Sequence, residues 1–400
     1  MLVLVVLWGA FFLINFNVAM MIPLLPFIQQ SVGLSTWQAG WILAAFPVTA
    51  MISNLLLGPW IDRLGRKRFI VLGTTACTVV FLLTAAARNA STLIVCRALV
   101  GVFMPMVGAS VFAAIADYIP PEDRARVTGY VTTAAPVAFL LSMSLGMLLG
   151  GLLAWQAPLI VVACFAGALA ISAAQLPPTS VSALANAPVT TQTYVARLRS
   201  LSGGRETQLV FLAYLSWSAA VFVFLGLYPT WIVQRGLIGH GPGSIGAMLF
   251  LGEVGGLFGA LLAGRLANLF VHPLNLCAIA ALVTAIVVFS VPLGHDRVVF
   301  QAAAYVSFAF GRDLLLALIL GGSMLLIPAS QRGSLNAVLN AIYQTGATAG
   351  ALIGAWLYGM RSTFMLNASV SGCLFVICGF SIWLISSTAQ RPLDSAIDVK

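Results

Sequence analysis

Long apolar stretches of the sequence contain four ionisable residues: Arg97, Glu253, Arg312 and Asp313. If such a stretch spans a membrane, a charge within it costs roughly 3 kcal/mol or more unless the charge is paired or hydrated. Carboxyl and guanidinium groups in this setting can carry protons, bind a charged substrate or hold helices together. Each of the four residues is therefore a candidate for proton coupling or for the substrate cavity.

Glu253 lies about midway along one apolar stretch, in the run GEVGGLFGALLAG. Its neighbours Gly252, Gly255, Gly256 and Gly259 would allow another helix to approach closely. Burial favours the neutral form of a carboxyl group, which makes Glu253 a candidate proton carrier. The alternative is a permanently protonated, hydrogen-bonded residue that only packs helices.

Arg312 and Asp313 are adjacent in another apolar stretch. Successive helical residues point about 100° apart, so we expect these two side chains not to pair with each other. One would face a central cavity while the other reaches a neighbouring helix, where Glu253 is a candidate partner for Arg312. A structural ion pair inside the second half of the chain is the alternative. Arg97 lies at the outer end of its stretch, where its long side chain can extend to the membrane surface.

Polar amides within the apolar stretches are candidate cavity residues. Asn15 and Asn17 point about 200° apart on a helix, so only one of them can face a cavity. Asn340 and Gln344 are four residues apart and share a helix face, from which both can hydrogen-bond a substrate. A further stretch is crowded with aromatic residues that suit an apolar ligand, although lipid-facing or interfacial positions fit them equally well. These residues are Trp217, Phe222, Phe224, Tyr228 and Trp231.

The composition defines the surroundings of all these residues. The 400 residues include 19 Lys and Arg and 10 Asp and Glu, so 7% are charged, whereas 61% are hydrophobic and the mean hydropathy is +1.04. A water-soluble fold of this size cannot bury so much apolar surface, which excludes a soluble enzyme, a nucleic-acid-binding protein and a disordered chain. The chain is predicted to be an all-α integral membrane protein and not an enzyme. Its His and Cys residues show no metal-ligand spacing, so we expect neither a metal site nor a cofactor.

Apolar runs of about 20 residues predict twelve spanning helices. Their approximate ranges are 3–28, 37–60, 69–87, 92–116, 127–153, 157–176, 207–233, 243–263, 274–293, 298–326, 335–359 and 363–385. A hydrophilic stretch rich in Pro, Ser and Thr divides these helices six to six. The predicted domains are an N-terminal six-helix bundle (1–176), a cytoplasmic linker (177–206), a C-terminal six-helix bundle (207–386) and a cytoplasmic tail (387–400).

The distribution of basic residues orients the chain. If the N-terminus is cytoplasmic, the cytoplasmic segments hold Arg63, Arg66, Lys67, Arg68, Arg124, Arg126, Arg197, Arg199, Arg205, Arg265, Arg332, Arg391 and Lys400. The opposite side then holds only Arg88, Arg235, Arg297 and Arg361. Because positive charge accumulates on the cytoplasmic side, both termini are predicted to be cytoplasmic. The net charge of +9 thus reflects topology and contact with anionic lipid rather than nucleic-acid binding.

The two halves of the chain repeat each other. The run IPPEDR at 119–124 returns as IPASQR at 327–332, an offset of 208 residues. The run GPWIDRLGRKR after span 2 corresponds to a shorter GRLAN after span 8. Repeated halves around a midplane binding site are typical of secondary transporters.

Three runs carry a resemblance to a known family. GPWIDRLGRKR (58–68) resembles the loop between spans 2 and 3 of the major facilitator superfamily, and both Arg97-x-x-x-Gly101 and the run at 116–126 resemble motifs of its drug:proton antiporter branch. The resemblance covers essentially the whole chain and implies two pseudo-symmetric six-helix bundles around a central cavity. It also implies a gate at this loop, where Asp62 would bias the protein towards the outward-open state. The alternative interpretation of the loop is a basic anchor that contacts the lipid surface and has no gating role. The residues of this gating motif are Gly58, Asp62, Arg63, Gly65, Arg66, Lys67 and Arg68.

The resemblance implies proton-coupled export of a small organic solute, such as a drug, sugar or metabolite, by alternating access. The proton gradient would supply the energy, with Arg97 as a further proton-relay or gating residue. Val100 and Met147 replace the Gln and Pro of the branch motifs, which leaves proton coupling and the direction of transport open. The expected partners are a small-molecule substrate, protons and the lipid bilayer, without nucleic acid, and the expected state is a monomer in a bacterial inner membrane.

Two other interpretations stay open. The runs at 16–30 and 110–136 are also similar to transporters of magnetosome membranes, which implies transport of iron or another metal complex across a specialised intracellular membrane. The absence of paired carboxylates, His or Cys in the predicted cavity argues against a bare metal ion. A membrane scaffold or sensor that keeps the fold without transport is the second interpretation.

Overall fold

The computed structural model of the chain describes residues 1–177, 204–236, 242–270, 273–294, 297–325 and 332–394. The described part folds into α-helices with one short 3-10 helix at Val291–Gly294. In the first half the helices are α1 (Leu2–Val32), α2 (Thr36–Leu64), α3 (Arg66–Ala85), α4 (Ala90–Tyr118), α5 (Arg124–Thr132), α6 (Ala134–Leu152) and α7 (Gln156–Ala174). In the second half they are α8 (Arg205–Leu225), α9 (Tyr228–Arg235), α10 (Pro242–Ala267), α11 (Pro273–Ser290), α12 (Val298–Leu325), α13 (Arg332–Met360) and α14 (Met365–Asp394).

The helices follow the predicted spans closely. The fifth predicted span is divided into α5 and α6, and the seventh into α8 and α9. Within the described residues, ten helical segments are long and apolar enough to cross a membrane, and α2 and α13 cover the other two predicted spans. The prediction of an all-α, multi-pass membrane fold is therefore confirmed.

The two halves use the same pattern of helix pairs. In the first half α1 packs on α6 and α7, α2 on α4, and α3 on α4 and α7. In the second half α8 packs on α13 and α14, and α11 on α12 and α14. Counted by span, the four pairs of the second half repeat four of the five pairs of the first half, and the close contact of α10 with α12 at glycine positions corresponds to the fifth, α2 on α4. The internal repeat seen in the sequence is therefore also a repeat of packing.

The chain divides into two compact units. One contains Met1–Val189 and Pro229–Phe250, and the other contains Thr190–Tyr228 and Leu251–Lys400. The predicted linker lies mostly outside the described residues, and α14 continues to Asp394, past the predicted end of the last span. The predicted domain boundaries stay a prediction.

Glycines bring α10 and α12 into close contact in the second unit. A Cβ at Gly252 would lie 2.1 Å from the Tyr305 ring, and a Cβ at Gly255 would lie 2.9 Å from Val306. A Cβ at Gly259 would lie only 2.2 Å from the carbonyl oxygen of Phe310. These glycine positions therefore allow the two helices to approach closely, as the sequence predicts.

The packing of α10 on α12 can be tested with two alanine substitutions. Gly259→Ala should destabilise the protein by about 1–3 kcal/mol, because its methyl group would meet backbone that cannot rotate away. Gly264→Ala on the same helix should be neutral or stabilise by up to about 1 kcal/mol, since no atom lies within 4 Å of its added Cβ. Thermal unfolding in detergent compares the two, and equal stability of both variants would contradict the proposed contact.

Candidate functional site

A buried ion cluster joins α10 to α12. The Nη1 and Nη2 atoms of Arg312 donate hydrogen bonds to Oε1 and Oε2 of Glu253 at 3.2 and 2.7 Å. The two side chains are 4% and 1% exposed. The pairing of Glu253 with Arg312 proposed from the sequence is thus observed.

Arg312 also pairs with its neighbour Asp313, contrary to the sequence-based expectation. Its Nε and Nη2 atoms each donate to the Asp313 carboxylate at 2.7 Å. The 100° separation of successive residues describes where the side chains leave the helix. The arginine side chain is long enough to bend its guanidinium back towards the next residue, so a single guanidinium bridges both carboxylates.

The two carboxylates have different surroundings. Glu253 accepts a third hydrogen bond, from the Tyr305 hydroxyl to Oε1 at 2.9 Å, and is almost completely buried. The Asp313 side chain is 23% exposed. Among the described residues, its carboxylate accepts hydrogen bonds from Arg312 alone. Glu253 is therefore fixed in place as a counter-ion, whereas Asp313 forms the accessible side of the cluster.

Glycine also provides the space for this cluster. A Cβ at Gly256 would lie 2.3 Å from Oδ2 of Asp313 and 3.2 Å from Nη2 of Arg312. Any larger residue at this position would occupy the volume of the ion pair. The glycine run around Glu253 thus serves both helix contact and the charges that lie in that contact.

Aromatic residues support the cluster from the neighbouring helices. Tyr305 stacks on Tyr228 with ring centroids 5.3 Å apart and planes at 4°. The Tyr228 hydroxyl donates to Gln301, and the Trp217 indole donates to the backbone carbonyl of Arg312 at 3.1 Å. Tyr305 was missed in the sequence, although it precedes Arg312 by two helical turns and therefore shares its face.

The aromatic residues singled out in the sequence are buried. The alternative of lipid-facing or interfacial rings is therefore wrong for this group. Trp217 stacks on Tyr214 at 5.5 Å, and both rings contact Tyr343 of α13 at 6.3 Å. An aromatic cluster thus adjoins the helix that carries Arg312 and Asp313.

Arg97 does not extend to the membrane surface. It is 3% exposed and lies under the Phe46 ring, whose centroid is 5.1 Å from the guanidinium carbon. Its Nη1 atom donates to Oδ1 of Asn17 at 2.8 Å and its Nε atom to the carbonyl of Ile42 at 3.4 Å. Acceptors on α1 and α2 and a ring face hold the arginine inside the bundle instead.

The other amides have different environments. Asn15 donates to the carbonyl of Phe11 in its own helix at 2.8 Å, so Asn17 is the one that engages another span. Gln344 is 8% exposed, and Asn340 is exposed. A role of these amides in substrate binding stays a prediction.

The gating motif is described only in part, because the side chains of Gly58, Asp62 and Arg63 lie outside the described residues. Gly65 adopts φ +89°, a conformation that favours glycine, and is the N-cap residue that precedes α3. Arg66 forms an ion pair with Asp117 at 3.4 Å, Lys67 donates to the carbonyl of Leu176, and Arg68 is exposed. The gating role of the motif stays a prediction.

Within the described part of the chain, no group of three or more His, Cys, Asp or Glu side chains is arranged to hold a metal ion. Among the described residues, the charged groups inside the apolar stretches form two sites, which are the ion cluster of Glu253, Arg312 and Asp313 in the second unit and the Arg97–Asn17 pair in the first.

Comparisons with known proteins identify relatives and solved structures that match this chain. The sequence model of the Major Facilitator Superfamily matches residues 7–328. The chain is 25% identical to the uncharacterized MFS-type transporter YceJ of Bacillus subtilis over 388 residues, 96% of each sequence. Over 141 residues, 35% of this chain and 36% of the relative, it is 31% identical to the quinolone resistance protein NorA of Staphylococcus aureus. A solved bacterial homologue of the human lysosomal transporter Spinster superposes with a TM-score of 0.79 at 14% identity, covering 96% of each chain.

Two substitutions separate the ion pair from its supporting hydrogen bond. Glu253→Gln should destabilise the protein by about 2 kcal/mol, because it replaces two charge-assisted hydrogen bonds from Arg312 to another helix, while Asp313 still balances the Arg312 charge. Tyr305→Phe removes one hydrogen bond and keeps the ring stack, so its effect should be about 1 kcal/mol. Thermal unfolding of the purified variants tests the order, and a smaller effect of Glu253→Gln than of Tyr305→Phe would contradict the assignment of Glu253 as the counter-ion.

Proposed function

The chain belongs to the Major Facilitator Superfamily, and from this premise we propose that it exports a small organic solute in exchange for protons. That it is a multi-pass membrane transporter follows from the family and the fold. The relatives named as transporters favour transport over a scaffold or sensor. The proton coupling, the direction and the solute class are the content of the proposal.

The observation that carries the proposal is the charge balance of the ion cluster. Two carboxylates share one guanidinium, so the cluster holds one more negative than positive charge when both acids are ionised. An uncompensated charge is unfavourable in an apolar span. Binding one proton makes the cluster neutral, which gives the site two states that differ by a single proton.

Asp313 is the proposed proton-binding residue. Its side chain is the most exposed of the three, whereas Glu253 is enclosed by Arg312 and Tyr305. A proton can reach the Asp313 carboxylate without breaking the Glu253–Arg312 pair. Proton binding would weaken the hydrogen bonds that Arg312 Nε and Nη2 donate to Asp313, and these donors could then respond to a bound solute.

Export of an organic solute is supported by two features. NorA, which matches 35% of this chain, is named a quinolone resistance protein, and this name links a relative of the chain to an organic compound. The ring cluster of Tyr214, Trp217 and Tyr343 provides apolar and polarisable surface near the charged residues. Such rings bind flat or amphipathic molecules without specific hydrogen bonds.

Proton coupling is tested by transport in proteoliposomes with an imposed pH gradient and a panel of fluorescent organic solutes. We expect Asp313→Asn to abolish uphill transport, because the amide cannot change its charge, while solute still equilibrates down its own gradient. Glu122→Gln, a substitution of an exposed carboxylate outside the cluster, serves as the matched control and should keep uphill transport. Uphill transport by Asp313→Asn at the wild-type rate would contradict the assignment.

We further propose that the protein acts as a monomer in the bacterial inner membrane with both termini in the cytoplasm. The asymmetry of its basic residues supports this orientation. It places Arg88 and Arg235 outside, and Arg126 and Arg265 inside; all four are exposed in the structure.

Site-directed labelling tests the orientation. In a background without the six native cysteines, Arg88→Cys and Arg235→Cys should react with a membrane-impermeant maleimide on intact cells. Arg126→Cys and Arg265→Cys should react only after the membrane is permeabilised. The reverse pattern would place the termini outside.

A further inference from the structure

Arg97 is a buried arginine that has no carboxylate partner among the described residues. The described residues place no acidic side chain in an ion pair with it, and its hydrogen bonds go to the neutral oxygens of Asn17 and Ile42. A guanidinium has five N–H donors, and two of these are engaged here. Among the described residues, the positive charge of Arg97 meets the face of the Phe46 ring and no carboxylate.

Asn17 presents a second unmet donor at the same place. It is completely buried, and its Nδ2 atom has no hydrogen-bond partner. The orientation of the amide is fixed, because its oxygen must face the Arg97 Nη1 donor and a flipped amide would oppose two donors. The NH₂ group of Asn17 therefore lacks an acceptor, and leaving a buried donor unmet is unfavourable.

All of the unmet groups in this place are donors, and one carries a positive charge. The ligand that complements them is an anion with more than one acceptor oxygen. A carboxylate fits best, because its two oxygens match the planar fork of a guanidinium and its single charge balances a single arginine. Within the described residues no second cation accompanies Arg97, so a doubly charged phosphate would exceed the charge available.

We propose that Arg97 and Asn17 bind the carboxylate group of an organic solute carried by this transporter. The inference rests on the proposed transport of a small organic solute and narrows it to solutes with a carboxylate. Arg97 would bind the carboxylate through its free N–H groups, and Asn17 would donate from Nδ2 while its oxygen holds the guanidinium in position.

Binding to the full-length protein in lipid nanodiscs tests the proposal without a pH gradient. The probes are benzoate and indole-3-acetate, each compared with its uncharged amide, benzamide and indole-3-acetamide, in chloride-free buffer. A ligand that binds the folded state raises its Tm in a saturable way, which yields an apparent Kd. We expect at least one carboxylate to raise the Tm and its amide not to do so.

Variants then locate the binding. Arg97→Gln and Asn17→Asp should each increase the apparent Kd of the carboxylate by about tenfold or more, through loss of a charged donor and through repulsion, respectively. Arg97→Lys keeps the charge in case Arg97→Gln does not fold, and it should also weaken binding because it lacks the fork. Arg88→Gln, an exposed arginine outside the site, is the matched control and should bind as wild type does.

Three results would overturn the proposal. The first is an equal rise in Tm with the carboxylates and with their amides. The second is carboxylate binding that is unchanged in both Asn17→Asp and Arg97→Lys. The third is an equal rise in Tm with sodium chloride alone, which would indicate an inorganic anion site. Because the measurement is made at equilibrium, a failure of proton-driven transport would leave it unchanged. The two proposals can therefore fail separately.

Discussion

The second half of the molecule depends on a single guanidinium held between two carboxylates. An arginine in an apolar span is tolerated when its charge and donors are matched, and Arg312 meets this condition through Glu253 and Asp313. Glu253 lies on another helix, so the pair also determines how close α10 must approach α12. The glycines on α10 and the aromatic stack on Tyr305 follow from that requirement, since they provide space and support for the pair.

The first half has the same helix pairs as the second half, but its buried arginine has different partners. Arg97 lies in the fourth span as Arg312 lies in the tenth, and each reaches across to neighbouring helices. Arg97 finds an amide, a backbone carbonyl and a ring, none of which carries a full negative charge. Among the described residues, the buried site of the second half therefore holds an excess of negative charge when both acids are ionised, and the buried site of the first half holds an excess of positive charge. The repeat has kept the packing while the chemistry of the two sites has diverged.

The fold could be predicted from the sequence because the bilayer imposes it. Apolar runs of spanning length predicted twelve membrane spans. The pairing of Glu253 with Arg312 could be predicted because an unpaired charge in an apolar span has a high energy. The pairing of Arg312 with Asp313 and the burial of Arg97 could not be predicted in the same way. Both depend on where a long, flexible side chain turns after it leaves the helix, and helical periodicity fixes only the direction of the first bond.

The position of the ion cluster explains how one proton could affect a whole helix contact. Gly256 brings the α10 backbone so close to Asp313 and Arg312 that the cluster forms part of the packing surface between α10 and α12. Protonation of Asp313 would weaken its two hydrogen bonds from Arg312 and remove the charge that makes them strong. Arg312 would then be held mainly by Glu253, on the other helix. A proton on one carboxylate would thus shift the balance of contacts between the two helices, which is the kind of change that couples a proton to a conformational step.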